Sequence, residues 1–357
     1  MLSTGFDKKN QHTGEKKMEN RLRFEVQDDF GCFVYPDERF APLLDEFDDL
    51  LDAHQSGEMN DKRYIAELNR LIGLEPDFID LHSHLSFTFL EQDKPKKALD
   101  AALRGLAAGN RLIPESFSGA IEWGYVENRP YLRALQGAML AYVRLRRHKD
   151  AVTLIDKMLA HNPNDNQGSR YLLGSEVLRA GDKERAVNIF DEYADDYPPY
   201  CYELALLHIL NQDWVKAATA LRHGFSANSY IAEMLCGNFN PIPLAIWHGT
   251  NFAEPETATD YIEMYGELWF RYPEALVFVR WLFNHSSIMN ERASLMKCSE
   301  DLFSERDFDA RGKIIDRQRQ LLNGIDHRLS TEIVKKVKNR QGQEIWPWMH
   351  SFGWSSV

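Results

Sequence analysis

The sequence predicts an all-α fold: a solenoid of stacked helical hairpins followed by a helical region outside the repeat. Three observations carry this. Two stretches, Asn128 to Pro163 and Gln167 to Pro198, fall into register with Ala151 against Ala186, 35 residues apart. That spacing is close to the ~34-residue period of a two-helix repeat. Apolar residues recur at helical spacing over most of the chain, and small residues return at matching places in successive hairpins.

The 357 residues suffice for two domains or for one long repeat array. Hydrophobic residues make up 44% and charged residues 27%, enough apolar material for a sizeable core. A formal net charge of −12 repels phosphate backbones, so nucleic acid is disfavoured as a partner. Cys32, Cys201, Cys236 and Cys298 stand far apart with no CxxC pair, which predicts reduced, mostly buried thiols and a cytoplasmic protein. No window approaches the ~18 consecutive apolar residues of a membrane span. Residues 1–20 are polar, lack the apolar region of a secretory signal, and read as a disordered lead-in.

Residues 21–40 come next. Arg21 to Val26 alternates polar and apolar, Asp28 to Gly31 supplies a turn, and Cys32 to Tyr35 can return as a second strand. Either a short hairpin or an irregular segment packed on the first helices satisfies this pattern. Residues 41–230 then read as repeats. Helical periodicity begins near Pro42, with Leu43, Leu44, Phe47, Leu50 and Leu51 forming one stripe. Its partner helix carries Tyr64, Leu68, Leu71 and Ile72. Asp48 and Asp52 occupy positions usually apolar or small, which suits an atypical capping repeat.

The second unit runs from Ile79 to about Asn110, with Ala98 and Ala102 on its second helix and Pro95 in that helix's first turn. An insertion near 109–127 follows. Ile113, Phe117, Ile121, Trp123 and Tyr125 make it too apolar for an idle loop, so it should fold back onto the repeats. The third unit pairs Leu135, Ala138, Met139 and Tyr142 with Ala151, Ile155 and Met158. The fourth pairs Leu173, Gly174 and Val177 with Ala186, Phe190 and Tyr193. The fifth pairs Leu204, Ala205 and His208 with Ala217, Leu221 and Gly224. Gly174, Ala205, Ala151, Ala186 and Ala217 sit where two helix axes approach, and larger side chains there would overpack by ~1–3 kcal/mol.

After Tyr230 the rhythm fails. Residues 231–340 read as a non-repeat helical region, with helices near Glu256 to Arg271, from Pro273, near Glu291 to Phe303 and near Ala310 to Leu322. Lys335, Lys336, Lys338 and Arg340 form a basic run that reads as a solvated helix end. Residues 341–357 form an aromatic tail, with Trp346, Trp348 and Trp354 expected at the surface.

Two stretches carry a resemblance: Glu127-Asn128-Arg129-Pro130-Tyr131-Leu132-Arg133, and Asn162-Pro163-Asn164-Asp165-Asn166-Gln167-Gly168-Ser169-Arg170-Tyr171-Leu172-Leu173. There the chain resembles the soluble bacterial tetratricopeptide-repeat (TPR) proteins. More faintly, the second stretch is similar to one in the suppressor-of-tumorigenicity-7 family. The resemblance implies a TPR-like α-solenoid that binds other proteins, with no catalytic residues to carry over. Some bacterial relatives end in a small cysteine-rich metal-binding motif, and this sequence has no such cluster.

In that architecture Arg129, Arg133, Gln136, Arg170, Tyr171, Ser175, Arg179 and Tyr202 fall on or beside first helices and would line a concave groove. Arginine forks there suit a carboxylate or an acidic peptide segment. The plainer reading is that Arg129, Arg133 and Arg170 pair with Glu122, Glu127 or Asp165 and hold the insertion. Asn128 and Pro130 suit a helix cap and first turn. His82 and His84, two apart on a helix, diverge and make a poor chelate; no metal or cofactor is expected. No phosphate-cradling glycine motif or nucleophile elbow is present.

The expectation is therefore a non-enzymatic scaffold that binds a protein or peptide segment. The alternative is an enzyme or enzyme subunit with its site near Trp247, His248, Glu263 and Arg271. A third, weaker reading is nucleic-acid binding through Lys335 to Arg340. The oligomeric state is not legible from the sequence.

Overall fold

A computed structural model describes residues 21–351, and side chains through residue 349. The expected disordered lead-in, residues 1–20, and Trp354 of the tail lie outside the described residues. The fold is mainly α-helical, and within each of its units most helices adjacent in sequence pack on one another. The chain divides between Gly181 and Asp182 into two compact units. That division falls inside the fourth sequence repeat rather than near residue 230.

The first unit opens with an antiparallel hairpin, β1 (Arg23–Gln27) and β2 (Phe30–Val34), with Arg23 opposite Val34 and Gln27 opposite Phe30. Seven helices follow: α1 (Asp37–Gln55), α2 (Asp61–Leu74), α3 (Ile79–Glu91), α4 (Pro95–Asn110), α5 (Arg129–Arg144), α6 (His148–His161) and α7 (Arg170–Ala180). The periodicity predicted a start for α1 near Pro42. The helix begins five residues earlier and carries Pro42 inside it, at the loss of one backbone hydrogen bond. Each helix packs on the next, except that α1 and the hairpin come first, and α3 also packs on α5.

The hairpins share one local design. The residue before the cap of the second helix is left-handed at Asp93 (φ 51°), Arg146 (φ 56°), Gly181 (φ 101°) and Gln212 (φ 60°). Three of these turns close with the same long bond: Lys94 N–H to Phe89 O, Arg147 N–H to Tyr142 O, and Asp213 N–H to His208 O, at 2.8–2.9 Å. This is the helix-ending pattern that satisfies orphan carbonyls through a left-handed residue. Three residues into each second helix stands an alanine with no exposure: Ala98, Ala151, Ala186 and Ala217. Each alanine N–H returns to the carbonyl of its cap residue. Glycine serves the same close packing at Gly137, where a Cβ would come within 2.7 Å of Ser86 Oγ.

The insertion between α4 and α5 is pinned on two sides. On one it pairs with the hairpin: Gly31 N–H donates to Ala120 O and Ala120 N–H to Asp29 O, both 2.8 Å. Only glycine fits at 119, because a Cβ would lie 2.1 Å from Asp29 O. On the other side, Ile121 N–H donates to His161 O at the end of α6, 2.7 Å. Ile121 is fully buried, and Phe117 meets Phe24 edge to face.

The second unit contains α8 (Lys183–Tyr193), α9 (Pro198–Leu210), α10 (Trp214–Ala227), α11 (Ser229–Leu235), α12 (Pro255–Phe270), α13 (Pro273–Phe283), α14 (Ser286–Ser304), α15 (Phe308–Asn323) and α16 (His327–Ile333). The short helices α11 and α16 are too brief to leave a periodic signature in the sequence. A buried cation ties the C-terminal helices to α10. Arg222, 1% exposed, makes a forked pair with Glu291 and donates to Asp326 O and Ser330 Oγ.

After α16 the basic run does not continue as a helix end. It enters a two-stranded hairpin, β3 (Val337–Lys338) and β4 (Glu344–Ile345). Nor does the tail stand free. Trp348 is 2% exposed, with Trp214, Phe278 and Trp281 at ring distances of 4.7–5.2 Å, and Trp346 stacks on it. Apolar rings in sequence near a terminus read as exposed only until a hydrophobic face accepts them.

Candidate functional site

The seven residues from Glu127 to Arg133 are where the first unit is joined. Glu127 is exposed; the rest point inward or are half-buried. Asn128 precedes α5, but its side chain makes no cap bond. It is fully buried, accepts from Phe33 N–H (3.1 Å) and donates to Gly31 O (3.0 Å) and Glu122 O (3.2 Å). It therefore joins hairpin, insertion and α5, a role that capping statistics do not suggest. Pro130 occupies the first turn, and its carbonyl accepts from Ser83 Oγ of α3, 2.9 Å. Tyr131 donates to Asn110 Oδ1, 2.7 Å.

The arginines are already engaged. Arg129 does not pair with Glu122 or Glu127: its Nε donates to Trp123 O at 3.1 Å, and its guanidinium lies 5.3 Å from that indole's centroid. Arg133 forks onto Asp80 of α3, with Nε to Oδ1 at 2.8 Å and an Nη to Oδ2 at 2.5 Å. Arg170 bonds Asp165, which also accepts the backbone N–H groups of Ser169 and Arg170. Asp165 takes a left-handed φ of 47°, so this carboxylate organises the turn before α7.

The remaining expected groove residues divide by burial. Gln136 accepts from Gln167 Nε2, 3.1 Å, and is half-buried. Tyr171 and Arg179 are half-buried on α7, and Arg179 donates to Ser175 O. Ser175, at 1% exposure, lies beneath the surface. So does Tyr202 in the second unit, unexposed, its hydroxyl donating to Asn228 O at 2.6 Å. Helical spacing placed these two on the first-helix face, but packing from neighbouring elements covers them.

A site that the sequence reading missed lies where α1, α2 and α3 meet. A cavity of about 370 Å³ is lined by His54, Tyr64, His84, Phe87 and Glu91, with Gln55 at its rim. The His54 ring stacks on Tyr64 at 4.2 Å, and its Nε2 lies 3.1 Å from Asp61 Oδ1. Asp61 also accepts from Gln92, and these hydrogen bonds, with Gln92 first, hold its carboxyl below the ordinary range. His84 Nδ1 lies 3.4 Å from Tyr64 Oη, and its Nε2 is 3.9 Å from Asp80, the partner of Arg133. Burial lowers the His84 imidazole and raises the Tyr64 and Tyr35 hydroxyls. The Tyr35 hydroxyl is buried without a hydrogen-bond partner, under the influence of Asp80 and Arg133. The only sequence trace of this cavity is the run of histidine and aromatic residues at matched helical positions.

His82 and His84 do diverge. His82 is buried, its Nε2 3.0 Å from Pro76 O, while His84 faces the cavity. Among the described residues no group of three histidine, cysteine or acidic side chains is placed to hold a metal. The four cysteines are free, Cys201 and Cys298 being buried. Burial pushes the Cys201 thiol up to about 12 and Cys236 to about 11.

In the second unit Trp247 and His248 line a small cavity, while Glu263 on α12 and Arg271 just after it are exposed and do not line it. The structure does not gather those four residues. Lys335, Lys336, Lys338 and Arg340 are exposed, and Lys336 sits 5.1 Å from the Trp346 ring. No helix among the described residues is long and apolar enough to cross a membrane.

No protein-family model matches the chain, and no curated protein matches it. The tetratricopeptide likeness thus rests on the two quoted stretches and on helices that pack pair by pair.

Proposed function

We propose that the chain is a non-enzymatic scaffold of tetratricopeptide-repeat type that holds a protein or peptide segment along the first helices of its hairpins. The observation that carries this reading is the repeated hairpin. The same left-handed turn and the same buried alanine recur four times, in both units. Within each unit such a design stacks helices and presents their first members as a surface. The cavity between α1 and α3 supplies an anchoring pocket for one side chain of the bound segment. Arg129 pairs with no carboxylate among the described residues and serves an acidic residue of the same segment.

The test is peptide display against the full chain. Gln55→Trp fills the pocket from its exposed rim, and Arg129→Gln removes the cation. Each is expected to weaken selected peptides about tenfold or more, roughly 1.4 kcal/mol. Gln55→Trp should leave the melting temperature unchanged, whereas Arg129→Gln, which also loses the bond to Trp123 O, should lower it slightly. Peptides that bind both variants as they bind the wild type would exclude the first-helix surface. Turnover of a metabolite panel by the wild-type chain would instead favour an enzyme.

A further inference from the structure

The second unit holds a half-buried cation with no ion-pair partner among the described residues. Arg292 lies on α14, half-buried. One Nη donates to Phe283 O at 3.0 Å, and the guanidinium carbon lies 3.4 Å from the Phe283 ring centroid. Its Nε is buried and has no hydrogen-bond partner. No carboxylate among the described residues forms an ion pair with it. A buried donor left unmade costs ~1–3 kcal/mol, and more when it is charged, so such a group calls for an explanation.

Arg292 lines a cavity of about 100 Å³. Liquid water occupies ~30 Å³ per molecule, so the space suits a ligand of a few heavy atoms. The walls are mixed. Ile246, Leu295 and Leu322 are apolar, and the Trp247 indole adds an aromatic face. Several polar wall groups are bonded within the protein: Ser226 to Arg222 O, Gln318 to Ser299 Oγ, and Tyr230 Oη to His248 Nε2 at 2.9 Å. Among the lining residues Arg292 Nε is the buried side-chain donor without a hydrogen-bond partner.

We infer that this cavity binds a small carboxylate with a short apolar tail, its oxygen accepting from Arg292 and its tail against Ile246, Leu295 and Leu322. One unpaired guanidinium balances one negative charge. A phosphate dianion would need a second cation and a wetter wall. The site is independent of the first-helix surface and stands whether or not that surface binds a peptide.

The experiment titrates the full chain with sodium butyrate at neutral pH. Heat of binding and melting temperature are both read, with sodium chloride and sodium phosphate as matched controls. Wild type should show saturable butyrate binding and a rising melting temperature, and neither control should. Arg292→Gln should lose the response. Ala227→Leu, which adds three carbons at the cavity wall, should lose it too and decides the matter where Arg292→Gln does not fold. Absence of saturable butyrate binding to the wild type overturns the inference. So does binding that survives Ala227→Leu, or a larger shift with phosphate than with butyrate.

Discussion

Asn128 shows how far one side chain reaches. Its three hydrogen bonds link β2, the insertion and α5; all three partners are backbone groups, those to Phe33 and Gly31 buried and that to Glu122 part-buried. Asn128→Ala strands a buried Phe33 N–H and the Gly31 carbonyl, and removes one of the two bonds to Glu122 O. Each unmade bond costs about 1 kcal/mol or more, so urea melts should show a loss of roughly 3 kcal/mol. Arg133 makes a different argument. It pairs with Asp80, whose side chain is 11% exposed against 26% for the arginine. Removing only the arginine leaves a buried carboxylate, so Arg133→Ala is expected to cost about 3 kcal/mol. The double variant Arg133→Met with Asp80→Leu should recover most of that loss. A single variant that is as stable as wild type would return Arg133 to the list of ligand-binding residues. Both residues were visible in the sequence as a motif. Their partners were not, because Asp80 lies 53 positions from Arg133 and Gly31 97 from Asn128.

The hairpin turn is the element on which the repeat depends. Asp93, Arg146 and Gln212 hold a left-handed backbone that costs an L-residue ~1–2 kcal/mol, whereas glycine takes it freely. Arg146→Gly should therefore stabilise by up to about 1 kcal/mol, provided the Arg147 N–H to Tyr142 O bond is kept. Gly181→Ala, at φ 101°, should destabilise by about as much. Equal urea midpoints for both variants and wild type would mean that these turns are not strained. Helix identity and pairing were legible because alanines and apolar stripes repeat at helical spacing. Helix ends were less so: α1 starts ahead of Pro42, and α11 and α16 are single short segments. Of the insertion's apolar residues marked for burial, Ile121 is buried, Ile113, Phe117 and Trp123 are half-buried, and Tyr125 stays exposed at 48%; its β-bridge to Phe30 depends on backbone groups that carry no side-chain signature. The cavity at His54 and His84 depends on three helices meeting, which spacing within one helix does not disclose.

At the scale of the molecule, histidine burial sets the response to acid. His82, His84, His161, His208 and His223 all have imidazoles lowered below the ordinary 6.5, with loss of hydration the largest cause in each. A lowered folded value means that the unfolded chain takes up these protons first. Stability is therefore intact above about pH 6.5 and declines as the pH falls from there towards the lowered values. Hydrogen-bonded carboxylates act later. Asp61 and Asp326 are held below the ordinary 3.8, so their contribution fades only under stronger acid. One effect opposes the histidines: acidification reduces the net charge of −12 and with it self-repulsion. Exposed charges are screened beyond a Debye length of ~8 Å at physiological salt, while buried imidazoles are not. The urea midpoint should thus hold between pH 7.5 and about 6.5, then fall towards about pH 5.5 in 0.15 M salt, and less steeply in low salt. His84→Gln should flatten the slope without moving the neutral-pH midpoint by as much as Asn128→Ala. A midpoint that rises on acidification at 0.15 M salt would show that repulsion between surface carboxylates, rather than imidazole burial, governs this protein.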